Sequence, residues 1–185
     1  PFLKSSLAKI INLACRSDVD AKYLFFSSPI YLQLLQNGMY FDKVVDPLIH
    51  SLNSPKSFEK YYLKLMSPWT KLQVKSSLFV SPKTRVFQIN SYNLSILNDI
   101  AHEVNLDPRN FVGAFQKSLG QFNDSCIAAN DIFIKRPNVK KIYVVCWYNP
   151  TMMGIVAAAR KLGIKEIDVQ HGKQGKFNAM YSGWS

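Results

Sequence analysis

Acidic residues, cysteine, histidine and long apolar runs are all scarce in this 185-residue chain, and each shortage removes a class of function. Asp and Glu number 12 against 23 Lys and Arg, a formal charge of +11, so an anionic partner is expected: phosphate, nucleotide, lipid headgroup or nucleic acid. The three cysteines, Cys15, Cys126 and Cys146, are odd in number, far apart and without a C-x-x-C pair. That excludes a disulfide framework, a redox motif and a cysteine zinc site, and they read as reduced core residues. His50, His102 and His171 lie too far apart to share a helix face, so no metal site is expected. No apolar run approaches the roughly 20 residues of a spanning helix, and the first residues lack a signal-peptide pattern. The few glycines form no G-x-G-x-x-G, no G-x-x-x-x-G-K-[ST] and no G-x-S-x-G, which argues against a dinucleotide fingerprint, an ATPase or kinase loop and a hydrolase elbow.

The best-defined stretch is a β-α-β unit near the end of the chain. Ile142 to Trp147 is an apolar run of strand length, Thr151 to Leu162 reads as a helix, and Ile164 to Gln170 alternates like a second strand. Asn149 is placed to cap the helix, Pro150 suits its first position and Gly163 its end. A right-handed crossover brings Trp147-Tyr148-Asn149 and Gln170-His171-Gly172 to one sheet edge, where open α/β sheets bind ligands.

Earlier in the chain, Phe2 to Arg16 carries an apolar stripe (Leu3, Leu7, Ile10, Ile11, Ala14) that fits core packing better than a membrane surface. Lys22 to Ser27 reads as a strand, Ile30 to Leu35 as a helical turn stopped by Asn37-Gly38, and Pro47 to Leu52 as a short helix carrying a structural His50. Ser57 to Lys71 is expected to be helical and Thr84 to Ile89 a strand. Asn90-Ser91 caps a helix over Tyr92 to Val104, with Leu94, Leu97, Ile100, Ala101 and Val104 on its inner face and His102 outside. Asp107-Pro108 opens another helix, expected to break near Gly120 and to resume through Ile127 and Ile132. Strands alternating with helices predict one three-layer α/β domain with a mostly parallel sheet.

A fold alone fixes no chemistry, so function is sought in the loops at the carboxyl edge. His171 follows a buried strand and titrates near neutrality, which suits a general base or a charged donor to phosphate. Gly172 allows close backbone approach, Lys173 and Lys176 add two cations, Trp147 and Tyr148 offer flat faces of the kind sugar rings lie against, and Asn149 and Thr151 add hydrogen-bond partners. The same composition also describes a solvated turn, with Trp147 as a core residue.

Ala157-Ala158-Ala159-Arg160-Lys161-Leu162-Gly163-Ile164, followed by Gln170-His171-Gly172 and Tyr181, resembles the N-terminal half of bacterial surface-polysaccharide glycosyltransferases of the GT-B type. The match lies in the last quarter of the chain. It departs from the family pattern at Asp168-Val169, where Glu-Leu is usual, and at Asn178, where a second histidine is expected. The resemblance implies a Rossmann-like acceptor domain, the N-terminal half of a GT-B fold, facing a C-terminal nucleotide-sugar domain that this chain does not include. His171 would then be the catalytic base or hold the donor diphosphate, Lys173 and Lys176 would stabilise phosphate, and Tyr148, Asn149 and Tyr181 would line the acceptor side. No bound cofactor and no obligatory metal are implied. The substrates would be a nucleotide-sugar and a glycan or glycolipid acceptor, used in capsule or lipopolysaccharide synthesis in the cytoplasm, with peripheral contact to an anionic membrane. The chain is expected to be a fragment of a two-domain protein, inactive alone. The alternatives are half of a nucleotide-sugar epimerase, or a non-catalytic basic domain for anionic membrane or nucleic acid. Scattered rather than clustered Lys and Arg count against nucleic acid.

Overall fold

A computed structural model describes residues 20–38, 40–52, 57–63, 77–79 and 87–169. The elements are β1 (Tyr23–Ser27), a 3-10 turn (Pro29–Tyr31), β2 (Leu32–Leu34), β3 (Tyr40–Asp42), α1 (Val45–Ser51), β4 (Phe58–Tyr62), β5 (Ser77–Phe79), α2 (Ser91–Glu103), α3 (Pro108–Ile134), β6 (Lys141–Val145), α4 (Pro150–Lys161) and β7 (Lys165–Val169). Five strands form one sheet in the order β5-β4-β1-β6-β7, and every described pairing in it is parallel. Strand β1 is central, which explains its unbroken Leu24-Phe25-Phe26 run: a parallel strand covered on both faces needs apolar side chains at consecutive positions. The directly opposed pairs stack, Phe26 on Tyr61 at 5.0 Å and Phe25 on Tyr143 at 4.6 Å between ring centroids.

Alternation sends the side chains into two cores. On one face Leu24, Phe26, Tyr61, Ile142 and Val144 pack under Ala129 and Phe133 of α3 and Met152, Ile155 and Ala159 of α4. On the other, Phe25, Tyr143 and Val145 pack against Val45, with Leu48 and Ile49 of α1 and Leu52 at its end beside them. The result is a three-layer, Rossmann-like α/β domain with a mostly parallel sheet. The expected β-α-β unit is present as β6-α4-β7, with Ala158 and Ala159 buried as predicted. Helix α4 ends in a Schellman motif: Gly163, at φ +69°, donates to Arg160 O, and Ile164 donates to Ala159 O. Among the described residues no helix is long and apolar enough to cross a membrane.

Several local expectations are corrected. Residues 32–42 form a β-hairpin turning through Gly38 at φ +76°, in place of the helical turn. Phe58–Tyr62 is a strand rather than a helix; the buried Arg136 neutralises Glu59 and the half-buried Asp46 neutralises Lys60, so both charges can sit inside the sheet. Phe87 to Ile89 are not in a strand, and β5 supplies the sheet's edge on that side. Helix α3 runs through Gly120 without a break; Gly120 is buried, and at Gly154 the neighbouring α4 approaches the α3 backbone closely. On α2 only Leu97 and Ala101 are buried, while Ile100 and Val104 are exposed. Cys126 and Cys146 are half-buried rather than core. The stripe over Phe2 to Arg16 lies outside the described residues, as do 64–71 and 84–86.

At the amino edge of the sheet the Glu59 carboxylate accepts hydrogen bonds from Arg136, one from Nη2 at 3.3 Å, and one from Tyr61 Oη at 2.6 Å. Arg136 Cζ also lies 5.7 Å from the Tyr61 ring centroid. Burial, and then the Glu59 carboxylate, push the Tyr61 hydroxyl far above its ordinary pKa, so it remains a donor. This charged cluster ties β4 to the α3–β6 connection at the end of the sheet away from its carboxyl edge.

Candidate functional site at the carboxyl edge

The chain builds outward from β1 through β4 to β5, then returns to the other side of β1 with β6 and β7. Strand order of this kind opens a crevice between the carboxyl ends of the two strands that flank the reversal, here β1 and β6, the place where such sheets bind ligands. Its walls are the segments following the two strands, residues 28–31 and 146–151. They meet where the Tyr31 hydroxyl lies 3.0 Å from Cys146 Sγ. Cys146 has φ +62°, a left-handed conformation uncommon for a residue with a side chain and concentrated at functional sites and tight turns. The turn breaks the strand's alternation: Val145 and Cys146 both pack toward the α1 face, and Trp147 joins the core on the α3/α4 face.

Asn149 ties this loop together. Its Oδ1 accepts from Met152 N at 2.9 Å and its Nδ2 donates to Cys146 O at 2.8 Å. Of the first-turn amides of α4, Pro150 has none, Met152 donates to Asn149 Oδ1 and Met153 to Asn149 O. Thr151 is the remaining one, so the start of this helix is a poor cradle for a diphosphate.

Below the crevice, on the α1 face, lies a buried polar cluster. Asp42 Oδ1 accepts from Val44 N and Val45 N, both at 2.9 Å, and so satisfies two amides at the start of α1. Asp46 instead accepts from Asp42 N at 2.8 Å and pairs with Lys60 Nζ at 2.7 Å. Burial, followed by the Asp42 and Asp46 charges, raises the pKa of the neighbouring Tyr62 hydroxyl, so it stays protonated. Among the described residues, the buried Ser27 Oγ has no hydrogen-bond partner.

The predicted site residues divide sharply. Tyr148, Asn149 and Thr151 are half-buried at the crevice; Gln170, His171, Gly172, Lys173, Lys176 and Tyr181 lie outside the described residues. Strands β6 and β7 are adjacent and parallel, so the chain does leave both at one edge, as expected. Sequence reasoning missed Ser28, Tyr31 and Cys146. The small-polar pair and proline after a buried strand were the only signal, and nothing local says that β1 neighbours β6. His50 and His102 are exposed, and among the described residues no three His, Cys, Asp or Glu side chains are grouped to hold a metal ion. Asp18-Val19-Asp20 is an Asp-x-Asp sequence; Asp18 lies outside the described residues, and Asp20 accepts from Asn138 Nδ2 at 3.2 Å near the amino edge.

Fold and strand order together define a Rossmann-like domain whose topological switch point lies between the carboxyl ends of β1 and β6. No family model matches the chain, and no curated protein or solved structure is significantly similar to it.

Proposed function

We propose that this chain is the acceptor-side domain of a nucleotide-sugar-dependent glycosyltransferase of surface-polysaccharide or glycolipid synthesis. The observation that supports it most is the β1/β6 crevice, walled by Tyr31, Tyr148 and Thr151 and poor in amides for a diphosphate. Such a crevice suits a neutral glycan better than a nucleotide. The loop after β1, where a dinucleotide's diphosphate would press on glycines, is Ser28-Pro29-Ile30, which counts against an epimerase. In this reading the nucleotide-sugar is held by a second domain, and the protein works in the cytoplasm at the inner face of the membrane. Its net charge of +11 favours anionic headgroups there. His171, emerging beyond β7, takes the proton from the attacking acceptor hydroxyl, with Lys173 and Lys176 beside the donor phosphates.

The test uses the whole enzyme with a nucleotide-sugar and a glycan acceptor. His171→Ala is expected to lower turnover about 10²- to 10⁴-fold, the contribution of a positioned base. His50→Ala and His102→Ala are expected to leave it unchanged. A well-folded His171→Ala enzyme with the parent rate would end the catalytic assignment.

A further inference from the structure

The edge of the sheet opposite the crevice carries a cluster of lysines. The five strands are parallel, so their amino ends share one edge. Helices α3 and α4 each end a few residues before the next strand begins, which brings both helix carboxyl ends to that same edge. There Lys22 O accepts from Lys140 N at 2.9 Å and from Lys141 N at 3.3 Å, and Lys165 N donates to Lys140 O at 3.3 Å. Four lysines at the starts of β1, β6 and β7 are thereby neighbours in space, and Lys135 and Lys161 join them from the ends of α3 and α4. All are exposed except the half-buried Lys141, and among the described residues none of the six is in an ion pair. The acids at this edge are fewer: Asp20 accepts from Asn138, Glu166 is paired with Arg160, and Asp131 lies in the last turn of α3. Residues 87–134, by contrast, hold two basic side chains against five acidic ones, so the charge of +11 is unevenly spread.

Local needs explain only part of this cluster. A cation at a helix carboxyl end complements the helix dipole, which accounts for Lys135 and Lys161. Lys22, Lys140, Lys141 and Lys165 open strands, where the sheet supplies little dipole, and they repel one another. Such a patch attracts an anionic partner.

Two observations choose among anionic partners. Each helix ends with a large apolar side chain in solvent beside its lysine: Ile134, 66% exposed, precedes Lys135, and Leu162, 44% exposed, follows Lys161. Apolar side chains among lysines suit the headgroup boundary of a bilayer, where the hydrocarbon enters while the ammonium groups stay with the phosphates. Nucleic acid is instead gripped by arginine forks and by rings on which bases stack. The exposed arginine at this edge, Arg160, is engaged with Glu166. The exposed aromatic residues among those described, Phe87, Tyr92 and Phe115, lie before α2, on α2 and in the first half of α3.

We propose that the amino edge of the sheet is a docking surface for an anionic lipid bilayer, with the six lysines over the headgroup phosphates and Ile134 and Leu162 entering the interface. The carboxyl-edge crevice then opens away from the bilayer, a strand length of about 17 Å from the docked edge. This gives the membrane contact of the transferase reading a definite surface, yet neither the crevice nor the His171 loop contributes to it. Vesicle binding needs no turnover, so the two readings fail separately.

The test is sedimentation of the full chain with vesicles of phosphatidylcholine alone or with about one-third phosphatidylglycerol. Binding is expected to the anionic vesicles only and should fall as salt rises. A lysine at such a surface contributes about fivefold, so Lys140→Gln/Lys165→Gln should bind about 25-fold more weakly. Lys43→Gln/Lys117→Gln removes the same charge from exposed positions away from the patch and should stay within about twofold of the parent. Ile134→Ser should weaken binding about tenfold. Circular dichroism checks the fold of each variant, and the parent's own lipid and salt dependence needs no variant. The proposal is overturned if the parent binds neither vesicle or both equally, or if the two lysine pairs lose the same affinity. It is also overturned if Ile134→Ser binds as the parent does, or if a short DNA duplex holds the parent more tightly than the anionic vesicles through Lys140 and Lys165.

Discussion

Gly154→Ala puts a single methyl group where α4 crosses α3. A Cβ built on Gly154 meets the carbonyl oxygen of Phe122 at 2.2 Å, Cys126 N at 3.0 Å and Phe122 C at 3.1 Å. Carbon and carbonyl oxygen ordinarily approach to about 3.3 Å, so the overlap is about 1 Å. The obstructing atoms are helix backbone and cannot rotate aside. The substitution carries its own gain, since alanine is favoured over glycine in a helix interior by about 1 kcal/mol. Overpacking of this severity costs about 3 kcal/mol, which leaves a net loss of about 2 kcal/mol. In a domain of this size that lowers the melting temperature by about 4–8 °C. Gly113→Ala supplies the opposite sign: it also lies within a helix, α3, but its Cβ would meet nothing within 4 Å. It should gain the full propensity term of about 1 kcal/mol, a rise of roughly 2–4 °C. Thermal unfolding followed by circular dichroism compares the three proteins. If Gly154→Ala melts at or above the parent, the close α3/α4 crossing is refuted.

Arg136→Met leaves the Glu59 carboxylate buried with only the Tyr61 hydroxyl, and should cost about 3–5 kcal/mol in urea unfolding; a loss under about 1 kcal/mol would show that the charge is not isolated. Asn149→Ala should cost about 1 kcal/mol through its cap, so unchanged stability in the same assay would return Asn149 to a purely ligand-binding role. The hydrogen bond from Arg160 lowers the Glu166 pKa, so their pairing stabilises the fold above the unfolded carboxylate value and is lost as pH falls through the lower folded one. Because the pair is partly exposed, Arg160→Ala should cost no more than about 0.5 kcal/mol at pH 7. The difference in melting temperature from the parent should vanish by acid titration, and a difference that persists or grows below the folded value contradicts the assignment.

What could be read from the sequence is what is decided within one or two turns of chain. Asn149-Pro150 and Gly163 delimit α4, Asn90 caps α2 and Asp107-Pro108 opens α3, because each signal acts on amides or carbonyls a few residues away. The apolar runs at Leu24 and Ile142 read as strands, and their alternation with helices is enough for the fold class. Asn37-Gly38 suits the turn of the β2–β3 hairpin as well as a helix stop, and only the pairing of Leu32–Leu34 with Tyr40–Asp42 distinguishes the two. Tertiary structure decided the rest. Glu59 and Lys60 sit in a buried strand because Arg136, 77 residues on, and Asp46 neutralise them, and no local pattern encodes a partner at that distance. Gly120 does not interrupt α3, since a long packed helix outweighs the propensity cost of one glycine. The crevice itself depends on strand order. Tyr31 and Cys146 are 115 residues apart and meet only because β6 returns to the side of β1 opposite β4. A strand's pattern shows which faces are covered; its neighbour is chosen by the global packing of helices on both sides of the sheet.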